Sequence, residues 1–258
     1  MKKTRVKKEI YRMCLTVVFV VLTFILSRLA IYLPFFGNNA YRLSLTSVPI
    51  VISSLILGPL YGGIVGGLGD LIGALLFPVG PYFFGFTLDS ALLGVVPGLI
   101  YFLYNKSKKS SAFILSFISL GIISFIVSYV SLKDSIKLSG YTLNFNLALK
   151  ISIPLIYSFL LVASILCALL IKKKDNYIIV IISSVLANEF LVSGLLASIW
   201  KQMLYGIDFF VGVSTSLFLL IITLPVKAII ISALYPATRY AVNQTSLGIA
   251  QFNTLANK

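Results

Sequence analysis

Residues 58–86 read GPLYGGIVGGLGDLIGALLFPVGPYFFGF, an apolar segment that is dense in glycine and contains one carboxylate. Its glycines include three pairs spaced four residues apart: Gly62/Gly66, Gly63/Gly67 and Gly69/Gly73. Small residues at this spacing let helices approach closely and gain van der Waals contact, which is the main packing force available in lipid. The segment therefore predicts a membrane helix whose glycine faces either pack inside a helical scaffold or dock against a partner helix.

The composition of the whole chain is that of an integral membrane protein. Hydrophobic residues make up 59% of the 258 residues and charged residues 11%, whereas roughly a quarter of an ordinary soluble domain is charged. The net charge of +14 comes from Lys and Arg in short breaks between apolar runs, a distribution typical of loops that face an anionic leaflet. We therefore expect a lipid bilayer, and no nucleic acid, as the partner of this basic chain.

Residues that commonly carry catalysis or bind metals are scarce. The chain has no histidine, which is the commonest metal ligand and general base. Its two cysteines, Cys14 and Cys167, lie in apolar runs and have the character of small hydrophobic residues. The chain also lacks a Walker-type phosphate loop. We therefore expect no metal, no cofactor and no catalytic residues.

Apolar runs predict an all-α, polytopic membrane protein of about eight spans in one integral membrane domain, residues 1–258. The runs are 13–33, 45–59, 61–77, 84–104, 112–132, 149–171, 177–200 and 210–236. A helix needs about 20 apolar residues to cross a bilayer. The second and third runs are shorter and are separated only by Gly58 and Pro59, which predicts a broken hairpin shielded by its neighbours. The run 13–33 is too long for the core of a signal peptide and is interpreted as an uncleaved first span.

The basic residues predict the topology. Lys and Arg cluster in residues 2–12, 106–109 and 172–174, and with eight spans all three clusters fall on one side of the membrane. Basic residues on the other side are thinly spread. The positive-inside rule then puts both termini in the cytoplasm of a multi-pass protein of the cell membrane.

Asp70 is the carboxylate of the glycine-rich helix. A charge at membrane depth costs about 2.5 kcal/mol or more, so it normally faces a cavity or a partner. The surrounding glycines leave room for a ligand or for a counter-charge, and Arg28 and Arg42 are the candidate counter-charges. Both a binding role and a structural ion pair stay open at this point.

Aromatic and basic residues gather on the predicted outer side. The loop 78–86 carries four aromatic residues: Tyr82, Phe83, Phe84 and Phe86. They suit either an interfacial belt or the wall of a pocket that stacks on a flat ring. Arg42 is the only charge in the first outer loop, and its planar guanidinium suits a bidentate clamp on a carboxylate.

The last two predicted spans also contain polar residues. Asn188 and Glu189 lie within the seventh run, Trp200 and Lys201 lie at its outer end, and Lys227 lies in the eighth. Trp200 and Lys201 are typical of a membrane interface. Glu189 and Lys227 lie towards the middle of their spans, which makes them candidates to pair across adjacent helices.

Residues about 15–105 resemble the folate-family substrate-binding (S) component of energy-coupling factor (ECF) vitamin transporters. The motifs lie in residues 41–101, YRLSLTSVPIVISSLILGPLYGGIVGGLGDLIGALLFPVGPYFFGFTLDSALLGVVPGLIY. The motifs of the resemblance are R-x-S, GPLxG, G-x-x-x-D and G-x-Y-F-x-G-F. A weaker likeness, to the last two helices of the family, begins at NEFLVSGLLASIWKQMLYGIDFF, residues 188–210, and continues into the last predicted span.

The resemblance implies a small helical membrane subunit that captures a vitamin from outside, with a folate as the expected ligand and no enzymatic activity. Such a subunit delivers its cargo by docking on a shared module of one transmembrane coupling subunit and two ATP-binding subunits. Members usually have six spans, so the implied core is about 13–105 and 177–236, and we expect residues about 108–175 to form an inserted helical pair.

The resemblance also implies the substrate-binding residues. Arg42 matches an arginine near the outer start of the second helix, Asp70 matches an acidic position in the third, and the loop aromatics match an aromatic loop. The expected set is Arg42, Asp70, Tyr82, Phe83, Phe84, Phe86, Thr87, Asn188, Trp200 and Lys201.

The chain departs from the family pattern at three places. Phe84 stands where the family usually has proline. The basic residue early in the last helix is missing, with residues 214–216 in that region, and we expect Lys201 to substitute for it. The Ala-xxx-Ala docking motif of the first helix has its nearest equivalent in Thr23-xxx-Ser27.

Two alternatives to a folate-binding subunit remain. One is an S component for a different small vitamin or precursor, which the missing basic residue favours. The other is a stand-alone secondary carrier or a membrane enzyme. A carrier of that kind often has inverted repeats, and no clear internal repeat is visible in the sequence.

Overall fold

The chain is largely helical in the computed structural model, which describes residues 2–35, 38–78, 82–106, 135–138, 141–144, 176–207 and 209–244. The helices are α1 (Lys2–Arg28), α2 (Ser47–Leu57), α3 (Pro59–Leu76), α4 (Phe84–Lys106), α5 (Asn176–Ala187), α6 (Ala197–Tyr205) and α7 (Phe209–Gln244). A π-helical segment, Asn188–Leu196, joins α5 to α6. Two antiparallel hairpins pair β1 (Ile31–Phe35) with β2 (Asn38–Leu43) and β3 (Ser135–Leu138) with β4 (Tyr141–Asn144).

Four helical stretches of the described chain are long and apolar enough to cross a membrane. They are Val6–Arg28, Pro59–Leu76, Phe84–Tyr104 and Val180–Tyr205. The prediction of a multi-pass helical membrane protein is therefore confirmed. The predicted spans 112–132 and 149–171 lie outside the described residues, so the count of eight spans and the inserted pair stay predictions.

The first predicted span, 13–33, needs correction at its C-terminal end, where a short hairpin interrupts the otherwise helical fold. Helix α1 ends at Arg28, and residues Ile31–Phe35 form β1, which pairs with β2 from Ile31↔Leu43 to Phe35↔Asn38. The apolar character of residues 31–35 alone could not distinguish the end of a helix from a β-strand. The β-branched and aromatic residues of this segment favour a strand, and Pro34 is disfavoured in a helix interior.

The chain breaks between α2 and α3 where the sequence predicted. Gly58 has a backbone φ of 109°, which residues with a side chain rarely adopt. Pro59 follows as the first residue of α3. Proline suits that position because its missing N–H has no partner there in any case. All eleven residues of α2 are buried, so this short helix lies inside the bundle.

Helix α3 packs against α4 through the first glycine pairs of the opening segment. A Cβ on Gly66 would overlap the backbone carbonyl of Ser90, and one on Gly94 would overlap that of Gly62. The Ser54 hydroxyl also donates a hydrogen bond to the Gly94 carbonyl. These contacts favour the scaffold interpretation of the glycine faces, because α4 already occupies them.

The third pair, Gly69/Gly73, faces α1. A Cβ on Gly69 would lie 2.7 Å from Cγ2 of Thr23, and one on Gly73 would lie 3.6 Å from the Ser27 hydroxyl. Thr23 and Ser27 are both buried. The Thr23-xxx-Ser27 face thus packs against α3 of the same chain, and its likeness to the family's docking motif stays a prediction.

Candidate functional site

A cavity of about 190 Å³ lies among the residues before α2, the beginning of α4, the π-helical segment, α6 and α7. Helices α2, α4 and α7 all begin at this end of the bundle, and α1 begins and α7 ends at the opposite one. Four charged side chains line the cavity: Asp89, Glu189, Lys201 and Lys227. The cavity therefore lies away from the described chain ends and combines both signs of charge with apolar surface.

Glu189 and Lys227 form an ion pair inside the cavity wall, as the sequence predicted. The Lys227 ammonium donates to the Glu189 carboxylate, and both residues are buried. Opposite charges at membrane depth are expected to pair, since each alone is expensive to desolvate. The pair joins the π-helical segment to α7 and contributes little net charge to the cavity.

Lys201 lies in the same wall. It is buried, and its Nζ lies 3.5 Å from Oγ of Ser216 on α7. Ser216 belongs to the region where the family pattern has its basic residue. Lys201 of α6 thus places a positive charge beside α7 in the cavity wall, and its substitution for the family's basic residue stays a prediction.

Asp89 was singled out by no motif, yet it lines the cavity. Its Oδ1 accepts a hydrogen bond of 3.1 Å from the indole Nε1 of Trp200. Its Oδ2 is buried and has no hydrogen-bond partner within the described part of the chain. The available signal was helical spacing, because Phe86, Asp89 and Leu93 follow an i, i+3, i+7 pattern on one face of α4, and all three line the cavity.

Three rings connect the start of α4 to α6. The Phe83 ring centroid lies 5.5 Å from that of Trp200 and 6.0 Å from that of Phe86, the latter in an edge arrangement. Gly85 lets the rings come this close, because a Cβ there would lie 2.8 Å from the Trp200 ring. Of the predicted aromatics, Phe86 lines the cavity and Phe83 supports Trp200.

Asp70 belongs to a separate cluster beside the cavity. The Thr87 hydroxyl donates to Oδ2 of Asp70 at 2.8 Å, and the Tyr82 hydroxyl lies 3.2 Å from the same Thr87 oxygen. The three residues are not part of the described cavity lining. Arg28, a candidate counter-charge, donates instead to the Phe77 carbonyl at 3.0 Å, at the C-terminal end of α3, where a cation is favourable.

The remaining predicted residues are more dispersed. The backbone of Arg42 lies in β2, opposite Tyr32, and its side chain is outside what the structure describes. Phe84 is 66% exposed and is not in the described lining. Asn188 is buried, and its Nδ2 donates to the Leu93 carbonyl at 2.9 Å, which fixes the π-helical segment to α4.

The π-helical segment shapes one wall of the cavity. Its residues Glu189, Val192 and Ser193 all line the space. Extended π-helix is rare and is found frequently at functional sites. No sequence signal identified it.

Comparison with known proteins identifies a family and proteins that are similar to this chain. The family model described as ECF transporter, substrate-specific component, matches residues 11–171. A curated protein of Clostridium novyi (strain NT), "Folate transporter FolT", is 37% identical over 87 residues, which are 34% of this chain and 48% of that protein. The chain thus spans about half the length of this relative. A solved structure, "Crystal structure of FolT bound with folic acid", aligns at 20% identity with a TM-score of 0.49, over 90% of this chain and 94% of that one.

Proposed function

Because the chain belongs to the family of ECF transporter substrate-specific components, we propose that it is the vitamin-binding subunit of an ECF-type importer and that its ligand is folate or a related vitamin. The folate assignment is supported by the motifs of residues 41–101 and by the name of the relative from Clostridium novyi. The function is capture and delivery of a ligand, with no catalytic step in this chain.

The cavity carries this proposal. It offers an aromatic ring at Phe86 and a positive charge at Lys201 in one space. A folate combines a flat ring system with carboxylates, so either end of it would find a suitable contact in this cavity. At about 190 Å³ the cavity is smaller than the roughly 300–1,000 Å³ of typical ligand sites, so it would hold one part of the ligand.

Orientation and partners follow from the same proposal. If both termini face the cytoplasm, as the basic clusters indicate, the cavity faces outward and can receive an external vitamin. The sequence has no Walker-type phosphate loop, so ATP hydrolysis would come from two ATP-binding subunits bound through a transmembrane coupling subunit. These partners are inferred from the family.

Ligand binding by the purified protein tests the proposal. In detergent or nanodiscs, we expect tight binding of folic acid or 5-formyltetrahydrofolate and much weaker binding of riboflavin, thiamine and biotin, measured by calorimetry or ligand-induced thermal stabilisation. Binding of none of these compounds would contradict a vitamin-binding role. Uptake into vesicles by this chain alone would instead favour a stand-alone carrier.

Replacement of Lys201 by Met should weaken folate binding by about tenfold or more, because a hydrogen bond to a charged group contributes about 1.5–3 kcal/mol. Lys7→Met is the matched control, since Lys7 is exposed near the opposite end of the bundle. Equal losses of affinity in both variants would contradict a direct role for Lys201.

Replacement of Arg42 by Ala should also weaken binding, by about 1 kcal/mol or more, if its guanidinium holds a ligand carboxylate. The loss should be smaller for pteroic acid, which lacks the glutamate carboxylates. An unchanged affinity for folic acid would remove Arg42 from the site.

A different vitamin is the second candidate. The observation in its favour is that residues 214–216 of α7 are Ser, Thr and Ser in place of a basic residue. In that case a competitor from the vitamin panel, and not a folate, would bind most tightly and depend on Lys201.

A further inference from the structure

We propose that the Glu189–Lys227 ion pair is a ligand-binding element of the cavity, and that it receives an uncharged polar edge in which a hydrogen-bond acceptor stands beside an N–H donor. The –CO–NH– edge of an oxo-substituted heterocycle has this chemistry. The ring end of the ligand then lies against the pair, and its carboxylates lie at Lys201. The inference rests on the proposed function, because it assigns the orientation of a folate-type ligand.

The cavity follows one face of α7 and has a basic residue at each end. Ser216, Leu219, Thr223 and Lys227 all line it, and offsets of three, seven and eleven residues fall on one helix face. Eleven residues correspond to a rise of about 16 Å. Lys201 lies at the Ser216 end, with its Nζ 3.5 Å from the serine Oγ. We call this the outer end, because α7 begins there, and the Lys227 end the inner end.

The ion pair offers a donor and an acceptor side by side. The Lys227 ammonium donates to Oε1 of Glu189. An ammonium has three donors and a carboxylate has two acceptor oxygens, so this one contact uses only part of each group. The side chains of Lys227 and Glu189 keep 11% and 9% of their surface accessible, and both residues line the cavity. A ligand N–H can therefore bind the carboxylate while the neighbouring ligand C=O accepts from the ammonium.

Apolar walls surround the pair at the inner end. Leu93 of α4, Val192 of the π-helical segment and Leu219 of α7 all line the cavity. The Asn188 amide donates to the Leu93 carbonyl at 2.9 Å, which holds the residue before Glu189 against α4. A planar heterocycle suits this end, because it combines apolar faces with a polar edge.

A ligand carboxylate is disfavoured at the inner end. The charge of Lys227 is already balanced by Glu189, so a second carboxylate would be buried beside a like charge, which is costly. At the outer end, Lys201 contacts the neutral hydroxyl of Ser216. Both Asp89 oxygens are withheld from a ligand there, because Oδ1 accepts from Trp200 and Oδ2 has almost no accessible surface. The carboxylates are therefore directed to Lys201.

Two affinity ratios test this orientation. Competition against labelled folic acid measures folic acid itself, pteroic acid, which lacks the glutamate, and 4-aminobenzoylglutamate, which lacks the fused ring. The ring ratio is the affinity for folic acid divided by that for 4-aminobenzoylglutamate. The glutamate ratio is the affinity for folic acid divided by that for pteroic acid. Each ratio is measured on one preparation, so a reduced fraction of folded protein cancels.

The double variant Glu189→Gln with Lys227→Met should lower the ring ratio at least about tenfold, the scale of hydrogen bonds to charged groups. Its glutamate ratio should stay within about twofold of the wild-type value. Lys201→Met should show the opposite pattern, with a glutamate ratio about tenfold lower and an unchanged ring ratio. The double variant removes both charges together, so no uncompensated charge is left buried.

The matched control is Glu9→Gln with Arg12→Met, which removes an ion pair of 3.1 Å at the opposite end of the bundle. It should keep both wild-type ratios. If the cavity double variant does not fold, Glu189→Asp replaces it. This variant retains both charges but withdraws the carboxylate by one methylene, and it should lower the ring ratio at least about threefold.

The outcomes separate the two proposals. An unchanged ring ratio in the double variant, or in Glu189→Asp where that variant replaces it, would overturn the role of the pair and leave folate binding intact. A fall of the glutamate ratio in the pair variant together with a fall of the ring ratio in Lys201→Met would overturn the orientation. Failure of the wild type to bind folic acid would overturn the proposed function and this inference together.

Discussion

Gly66→Ala is expected to leave little folded protein, whereas Gly67→Ala, one residue further along the same helix, is expected to be tolerated. A Cβ on Gly66 would overlap the backbone carbonyl of Ser90 on α4. A Cβ on Gly67 would lie 3.5 Å from Cβ of Ala91, which is ordinary van der Waals contact. Overpacking costs about 1–3 kcal/mol when side chains can adjust, and here the opposing atom is backbone, so we expect a loss at the upper end of that range or beyond it.

Size-exclusion profiles and thermal melts of the detergent-solubilised variants measure this difference. Both substitutions add the same methyl group to α3, so intrinsic helix propensity cancels in the comparison. Similar melting temperatures for the two variants would contradict the α3–α4 packing.

Lys227→Met has the second large expected effect. It leaves the carboxylate of Glu189 buried without its counter-charge, and removal of one partner of a buried pair costs about 3–5 kcal/mol. The double variant Glu189→Gln with Lys227→Met should recover most of that loss, because no uncompensated charge remains. Thermal melts of the wild type, the single variants and the double variant measure the coupling directly.

The control for this cycle is the pair Arg12–Glu9, whose atoms are 3.1 Å apart and whose side chains are partly exposed. Arg12→Met should cost no more than about 1 kcal/mol, the scale of a surface ion pair. If the double variant in α7 and the π-helical segment were as unstable as Lys227→Met alone, charge burial would not be the cause.

The helical scaffold could be predicted from the sequence where composition, turn residues and residue spacing determine it. The low charge content predicted a membrane protein, Gly58 and Pro59 predicted the break between α2 and α3, and the glycine spacing predicted close helix contacts. The strand pairing of Ile31–Phe35 was missed, since an apolar run gives the same signal for the end of a helix and for a strand.

Only part of the candidate site could be predicted from the sequence. Glu189 and Lys227 could be paired in advance because lipid forces opposite charges together. Which acidic side chain of α3 and α4 lines the described cavity could not be predicted, because it depends on helix rotation. Asp70 lies one turn after Gly66 and so faces α4, where Thr87 binds it, whereas Asp89, two residues beyond Thr87, lies on the far side of α4 and reaches the cavity.

The shortness of α2 constrains how the protein is made. Eleven residues at a rise of ~1.5 Å span about 16 Å, roughly half the ~30 Å hydrocarbon thickness of a bilayer. Such a segment cannot partition across lipid alone during synthesis, and its complete burial gives it no lipid-facing surface. We expect the ribosome-bound chain to deliver α2 and α3 to the membrane as one unit, so that biogenesis stalls if synthesis is interrupted between them.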